Sequence, residues 1–197
     1  IRKHGLWLME DVVHAAVLEQ PPPALSTLVP EHSFLLASMS KAFAPGLRVG
    51  YLEAAPEWLD KVVASLRTDC WMVAPLVPEI ATRWIQGGQA DAMTAQQRQL
   101  TDERLALAHT HMAGLDYAWA EHFPHLWLRL PPPWQAAPFA AAMRQAGVLV
   151  RTADHFAVGR AAPPHAVRVS LNTASSTEQL RNGLEILLAL VRHPERG

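Results

Sequence analysis

The chain has 197 residues, half of them apolar, with 17 Lys and Arg against 18 Asp and Glu and a formal net charge of −1. Its basic residues are scattered rather than clustered, which excludes the electrostatic footprint of a nucleic-acid or anionic-membrane surface, and no apolar run approaches the roughly 18 residues of a membrane span. The lone Cys70 allows no internal disulfide, so a soluble, reducing, cytoplasmic setting is expected.

The chain opens on Ile1 with neither an initiator Met nor signal-peptide architecture, and it reads as a fragment of something longer. Short buried strands are expected at Leu6 to Met9, Ser33 to Ala37 and Leu47 to Leu52, each bounded by polar or turn residues. Between the first two, Pro21-Pro22-Pro23 excludes a continuous helix, and Ala24 to Leu28 is expected to form one helical turn. After Pro56, the residues Trp58, Leu59, Val62, Val63 and Leu66 share one face at helical spacing. A second helix is expected from Pro78 to about Gln86, stopped by Gly87-Gly88.

From about Asp91 to Ala113 the chain lacks Pro and Gly, and Met93, Leu100 and Leu107 recur at heptad spacing. This predicts one long, mostly solvated helix bridging to a second domain. Beyond Gly114, "HLWLRLP", "VLVRTA" and "AVRVSLN" read as strands and Ala136 to Ala146 as a helix. Ser175 with Glu178 suggests a capping box for a closing helix whose apolar stripe is Leu180, Leu184, Leu187, Leu188 and Val191. The domain boundaries implied are 1–88 and 89–197.

Only three lysines occur, against fourteen arginines, and one of them, Lys41, sits in "SMSKAFAPGLRVGYL". A lysine at the edge of a core can be desolvated and lose its proton, as Schiff-base chemistry with a carbonyl requires, whereas arginine cannot. Ser38, Ser40 and Arg48 around it make a plausible phosphate site, since hydroxyls supply neutral donors and a guanidinium a charged fork. Asp11 ends the first strand, where open α/β sheets present ligand-binding residues, although alone it reads as a solvated turn carboxylate. The ten histidines are scattered, with no metal-ligand spacing, so no metal is expected. The seven tryptophans read as packing residues.

In this order, "ED" at a strand end, then "PPPALSTLVP", then "SMSKAFAPGLRVGYLEAAP", the sequence resembles the pyridoxal-phosphate-dependent aminotransferases of fold type I. It is most similar to the aminotransferase-like domain of the MocR subfamily of GntR regulators and to 2-aminoadipate-type transaminases. The likeness continues through "QGGQADAMTAQQRQLTDERLALA", "FPHLWLRLP", "GVLVRTADHFAVG" and "AVRVSLNTASSTEQLRNGLEILLALV".

The resemblance implies an α/β fold: the C-terminal half of a fold-type-I transferase, with part of a mostly parallel large-domain sheet and a small α+β C-terminal domain. Without the family's amino-terminal strands, such a piece is expected to be catalytically incomplete. Lys41 then matches the residue forming the Schiff base with pyridoxal 5′-phosphate, and Asp11 the carboxylate that keeps the pyridine nitrogen protonated. Ser38, Ser40 and Arg48 match the phosphate site. Arg168, otherwise an ordinary strand-end arginine, matches the residue that pairs with a substrate carboxylate.

One position departs from the pattern. Val13 stands where the family commonly has a tyrosine bonded to the cofactor's phenolic oxygen, which puts efficient transamination in doubt more than cofactor binding. The resemblance therefore implies a cofactor-binding effector domain that senses an amino acid or small amine. It would act in a homodimer, with DNA contacted only through a winged-helix domain ahead of Ile1. A free-standing aminotransferase working by ping-pong exchange is the alternative.

Overall fold

The computed structural model describes residues 1–193. They form two compact units, Ile1–Arg98 and the chain from Gln99 onward.

In the first unit, β1 (Leu8–Asp11) pairs in parallel with β2 (Ser33–Ser38), and β2 pairs antiparallel with β3 (Gly50–Ala54). This three-stranded part of the sheet thus holds one parallel and one antiparallel pairing. The eleven residues joining β2 to β3 turn directly back without the helical crossover that a parallel neighbour needs. The crossover from β1 to β2 holds the proline run and only 3-10 turns, among them Leu25–Leu28. That turn is fixed by Glu10, whose carboxylate accepts from the backbone N–H groups of Leu25 and Ser26 at 2.9 and 2.8 Å. These bonds hold the Glu10 carboxyl below its ordinary range.

Two helices follow, α1 (Pro56–Cys70) and α2 (Leu76–Gln86). Trp58 of α1 packs edge-on against Trp7 and Phe34, at centroid distances of 5.1 and 5.7 Å, and Lys61 lies 4.2 Å above its ring. The rest of the expected apolar stripe stays largely in solvent, with Leu59 46% and Leu66 45% exposed and Met9 of β1 70% exposed. A three-stranded sheet offers too little surface to cover that helix face.

A long helix, α3 (Gln89–His111), spans the division between the units. The Arg98 guanidinium donates to the carbonyls of Ala16, Val17 and Leu18 at 2.8 to 3.0 Å, fastening this part of the helix to the first unit. The heptad residues are not the buried ones. Thr101, Leu105, Ala108 and Met112 are buried, whereas Leu100 is 43% exposed. Two threonines, Thr94 and Thr101, take inward positions that a search for apolar residues passes over.

In the second unit, β4 (Tyr117–Ala118), β5 (His125–Arg129), β6 (Arg151–Thr152) and β7 (Ala166–Ser170) form an antiparallel sheet in the order β4-β5-β7-β6. Leu126, Leu128, Val167 and Val169 point inward at period two. Against them pack Phe139, Ala142 and Met143 of α4 (Ala136–Gln145) and Leu180, Leu184, Leu187, Leu190 and Val191 of α5 (Thr177–Arg192). The closing stripe thus includes Leu190, with Leu188 only half-buried. Of "VLVRTA", only Arg151 and Thr152 join the ladder; Val148 and Val150 pack on the core while Leu149 between them is 70% exposed.

The cap of α5 lies one residue beyond the expected pair. The Ser176 hydroxyl accepts from the Gln179 N–H at 3.1 Å, and the Gln179 amide oxygen accepts from the Ser175 N–H and hydroxyl at 2.6 and 2.9 Å. Among the described residues no helix is long and apolar enough to cross a membrane.

Candidate functional site

The parallel pairing of β1 with β2 sets Asp11 opposite Leu36, and the ladder runs one step further through a 2.8 Å bond from the Val12 N–H to the Leu36 carbonyl. The carboxyl ends of both strands therefore open on the same side of the sheet, Asp11 ending one and Ser38 the other. Asp11 folds the chain after it, its Oδ1 accepting from the Val13 N–H at 3.0 Å. His14 follows directly, half-buried, at the start of the Ala15–Val17 turn that Arg98 fastens.

Beyond β2, the Met39 carbonyl accepts from the N–H groups of Phe43 and Ala44 at 3.1 and 3.0 Å, which closes a tight turn. Met39, Ala42 and Ala44 are buried, in part against Ala81 of α2. The alternation leaves Lys41 exposed on the outer side of an anchored turn, next to half-buried Ser40. Arg48 sits at φ 55, ψ 37, a left-handed backbone that costs a non-glycine residue about 1–2 kcal/mol. From there Nη1 donates to the Ser40 hydroxyl at 3.3 Å.

The Ser38 hydroxyl is used inside the turn. It donates to the Val49 carbonyl at 2.9 Å and accepts from the Ser40 N–H at 3.1 Å. Asp11, Ser38, Ser40, Lys41 and Arg48 all belong to the first unit. Arg168 belongs to the second, on β7 between Trp127 and Arg151. Its guanidinium lies 4.9 Å from the Phe156 ring centroid, and its Nε is buried without a hydrogen-bond partner among the described residues.

Two residues were invisible to motif reading. Arg98 lies in an unremarkable polar helix, and its role appears only once the carbonyls of 16–18 are brought to it. His14 was one of ten scattered histidines, yet burial first, and then the positive charge of Lys41, push its imidazole down, while Asp11 pulls the other way.

The arrangement offers one carboxylate, one primary amine, and a hydroxyl and a guanidinium within 3.3 Å of each other. It suits a ligand with an anionic group, a carbonyl and a basic nitrogen, and so the donor set fits pyridoxal phosphate. Over residues 1–187 the sequence matches the family "Aminotransferase class I and II". The chain belongs to that family.

An uncharacterized HTH-type transcriptional regulator of Bacillus subtilis (strain 168) is 31% identical over 191 residues, covering 97% of this chain and 41% of the relative. Among solved structures, an archaeal alanine:glyoxylate aminotransferase matches 98% of this chain and 49% of its own, with a TM-score of 0.84 and 19% identity. The α-aminoadipate aminotransferase of Thermus thermophilus, complexed with N-(5′-phosphopyridoxyl)-L-leucine, matches 97% of this chain and 51% of its own at a TM-score of 0.83 and 19% identity. The chain thus spans about half the length of the proteins it matches. It has the fold-type-I aminotransferase architecture over that length.

Proposed function

We propose that the chain is the pyridoxal-phosphate-binding, aminotransferase-like effector region of a GntR/MocR-type transcriptional regulator, with Lys41 as the amine that bonds the cofactor's aldehyde. The observation that carries this reading is the likeness to the HTH-type regulator across 97% of the chain.

When bound, pyridoxal phosphate supplies an aldehyde and an electron-withdrawing ring. The residues of this chain would do the rest. Asp11 would hold a proton at the ring nitrogen by its negative charge. Ser40 and Arg48 would present a neutral and a cationic donor to the phosphate, and Ser38 would brace the turn that presents them. Arg168, with an unpartnered Nε, would pair with the carboxylate of an amino acid. The Val13 side chain brings no donor to the site, which favours recognition of an amino acid or small amine over efficient turnover. In the parent protein a homodimer would pass this state to DNA through a separate helix-turn-helix region.

The test uses the full-length protein. Pyridoxal phosphate should give a visible band and a borohydride-trapped adduct that are lost in Lys41→Ala; an adduct that survives the substitution assigns the amine elsewhere. Operator binding should then respond to amino acids or small amines. Steady transamination of an amino acid with a 2-oxo acid, without DNA binding, would point to the free-standing aminotransferase.

A further inference from the structure

In the second unit, the sheet register sets Arg168 of β7 directly opposite Trp127 of β5 on one side and Arg151 of β6 on the other. Directly opposed residues project from the same face, with Cβ atoms about 4.5–5.5 Å apart. That face is turned away from the helices, because the neighbours along each strand, Leu128, Val167 and Thr152, are the buried ones. Phe156 packs on two members of the row: its ring lies 4.9 Å from the Arg168 guanidinium and meets Trp127 edge-on at 5.6 Å. The aromatic pair thus walls off the β5 side of the guanidinium and leaves the β6 side, where exposed Arg151 stands. Both arginines line one cavity of about 460 Å³, with Ser170 and Thr173, at the sheet edge where residues 147–150 leave the ladder with β7.

Like charges directly opposite each other destabilise a sheet, yet among the described residues neither arginine has an ion-pair partner. Asp154, the acid nearest to Arg151 along the chain, lies instead 3.6 Å from the His155 ring. We propose that Arg151 sets ligand specificity: with Arg168 it makes a two-cation seat for an amino acid that carries a second carboxylate. Arg168 takes the α-carboxylate, an assignment that rests on the function proposed above, and Arg151 takes the distal one. Neighbouring strands lie about 4.8 Å apart, and carboxyl carbons four single bonds of about 1.5 Å apart in an extended chain are separated by about the same distance. Each guanidinium presents forked donors that match a carboxylate, and a monocarboxylate would leave one of the two charges uncompensated.

The experiment is a calorimetric titration of the cofactor-free full-length protein with glutarate, which has two carboxylates and no amine, and with butyrate, which has one. Wild type should bind glutarate at least about tenfold more tightly, as a charged hydrogen-bonded contact supplies. Arg151→Gln should remove that preference and leave butyrate affinity unchanged, Arg151→Lys should restore part of it, and Arg168→Gln should weaken both ligands. Without ligand, the thermal midpoint of Arg151→Gln should stay level or rise, because a like-charge contact is relieved. Equal binding of the two acids by wild type, or a glutarate preference that survives Arg151→Gln, overturns the proposal. Uptake of pyridoxal phosphate is read separately, from its visible absorbance and the loss of that band in Lys41→Ala. A glutarate preference without uptake would keep the arginine pair and remove the cofactor reading. Uptake without the preference would do the reverse.

Discussion

Arg48 reaches the Ser40 hydroxyl at 3.3 Å from a left-handed backbone, so the contact is held in place against a local conformational preference. Replacing Arg48 with glycine separates the two effects. Arg48→Gly should leave the thermal midpoint of the cofactor-free protein unchanged or raised, because the strain of about 1–2 kcal/mol is relieved. It should also weaken pyridoxal phosphate binding by about 1.5–3 kcal/mol, as expected for a lost hydrogen bond to a charged group. Titration with pyridoxal, which has no phosphate, is the control: there the variant and the wild type should bind alike.

Arg98→Ala removes three hydrogen bonds to the carbonyls of Ala16, Val17 and Leu18. A loss of about 2 kcal/mol in urea unfolding is expected, with faster amide exchange confined to the 12–18 loop. Arg98→Lys should rescue little of this, since an ammonium cannot reproduce the planar fork.

Acid should destabilise the first unit in two stages. Burial and Lys41 depress the His14 imidazole from its ordinary 6.5, so the unfolded chain binds that proton first and stability falls as pH drops through that range. Lower down, the Arg2 guanidinium, 2.6 Å away, holds Glu31 at about 2 instead of 4.5. Its contribution is complete above 4.5 and disappears as pH falls towards 2. Thermal midpoints of wild type and Glu31→Gln should converge over that lower interval. Added salt should shrink the difference, because both partners of the pair are solvent-exposed.

Ser176→Ala should cost about 1 kcal/mol in the unfolding of the second unit, as a lost N-cap does. Glu178→Ala should change little. Equal effects would restore the Ser175–Glu178 pairing as the cap.

That shift of one residue shows how the sequence was legible and where it was not. A Ser-x-x-Glu and a Ser-x-x-Gln overlap at 175–179, and the extended backbone of Ser176 at φ −145, with its hydroxyl accepting from the Gln179 N–H, decides between them. Strand positions in the second unit were readable because Leu126, Leu128, Val167 and Val169 alternate against a solid core. The inward face of α3 was not, since threonines fill part of it. Arg98 was not, because the carbonyls it binds lie about 80 residues away along the chain.

The turn from Met39 to Ala44 is pinned on alternate sides while Lys41 between its anchors is exposed. Any ligand seated by an anionic group at Ser40 and Arg48 is therefore captive beside a tethered amine. Short flexible tethers of this kind confer effective concentrations of about millimolar or more. In the function proposed above, bond formation at Lys41 would then depend on how long the anion stays seated beside it. Seating and bonding would then be successive events on adjacent residues, the first setting occupancy and the second setting residence time.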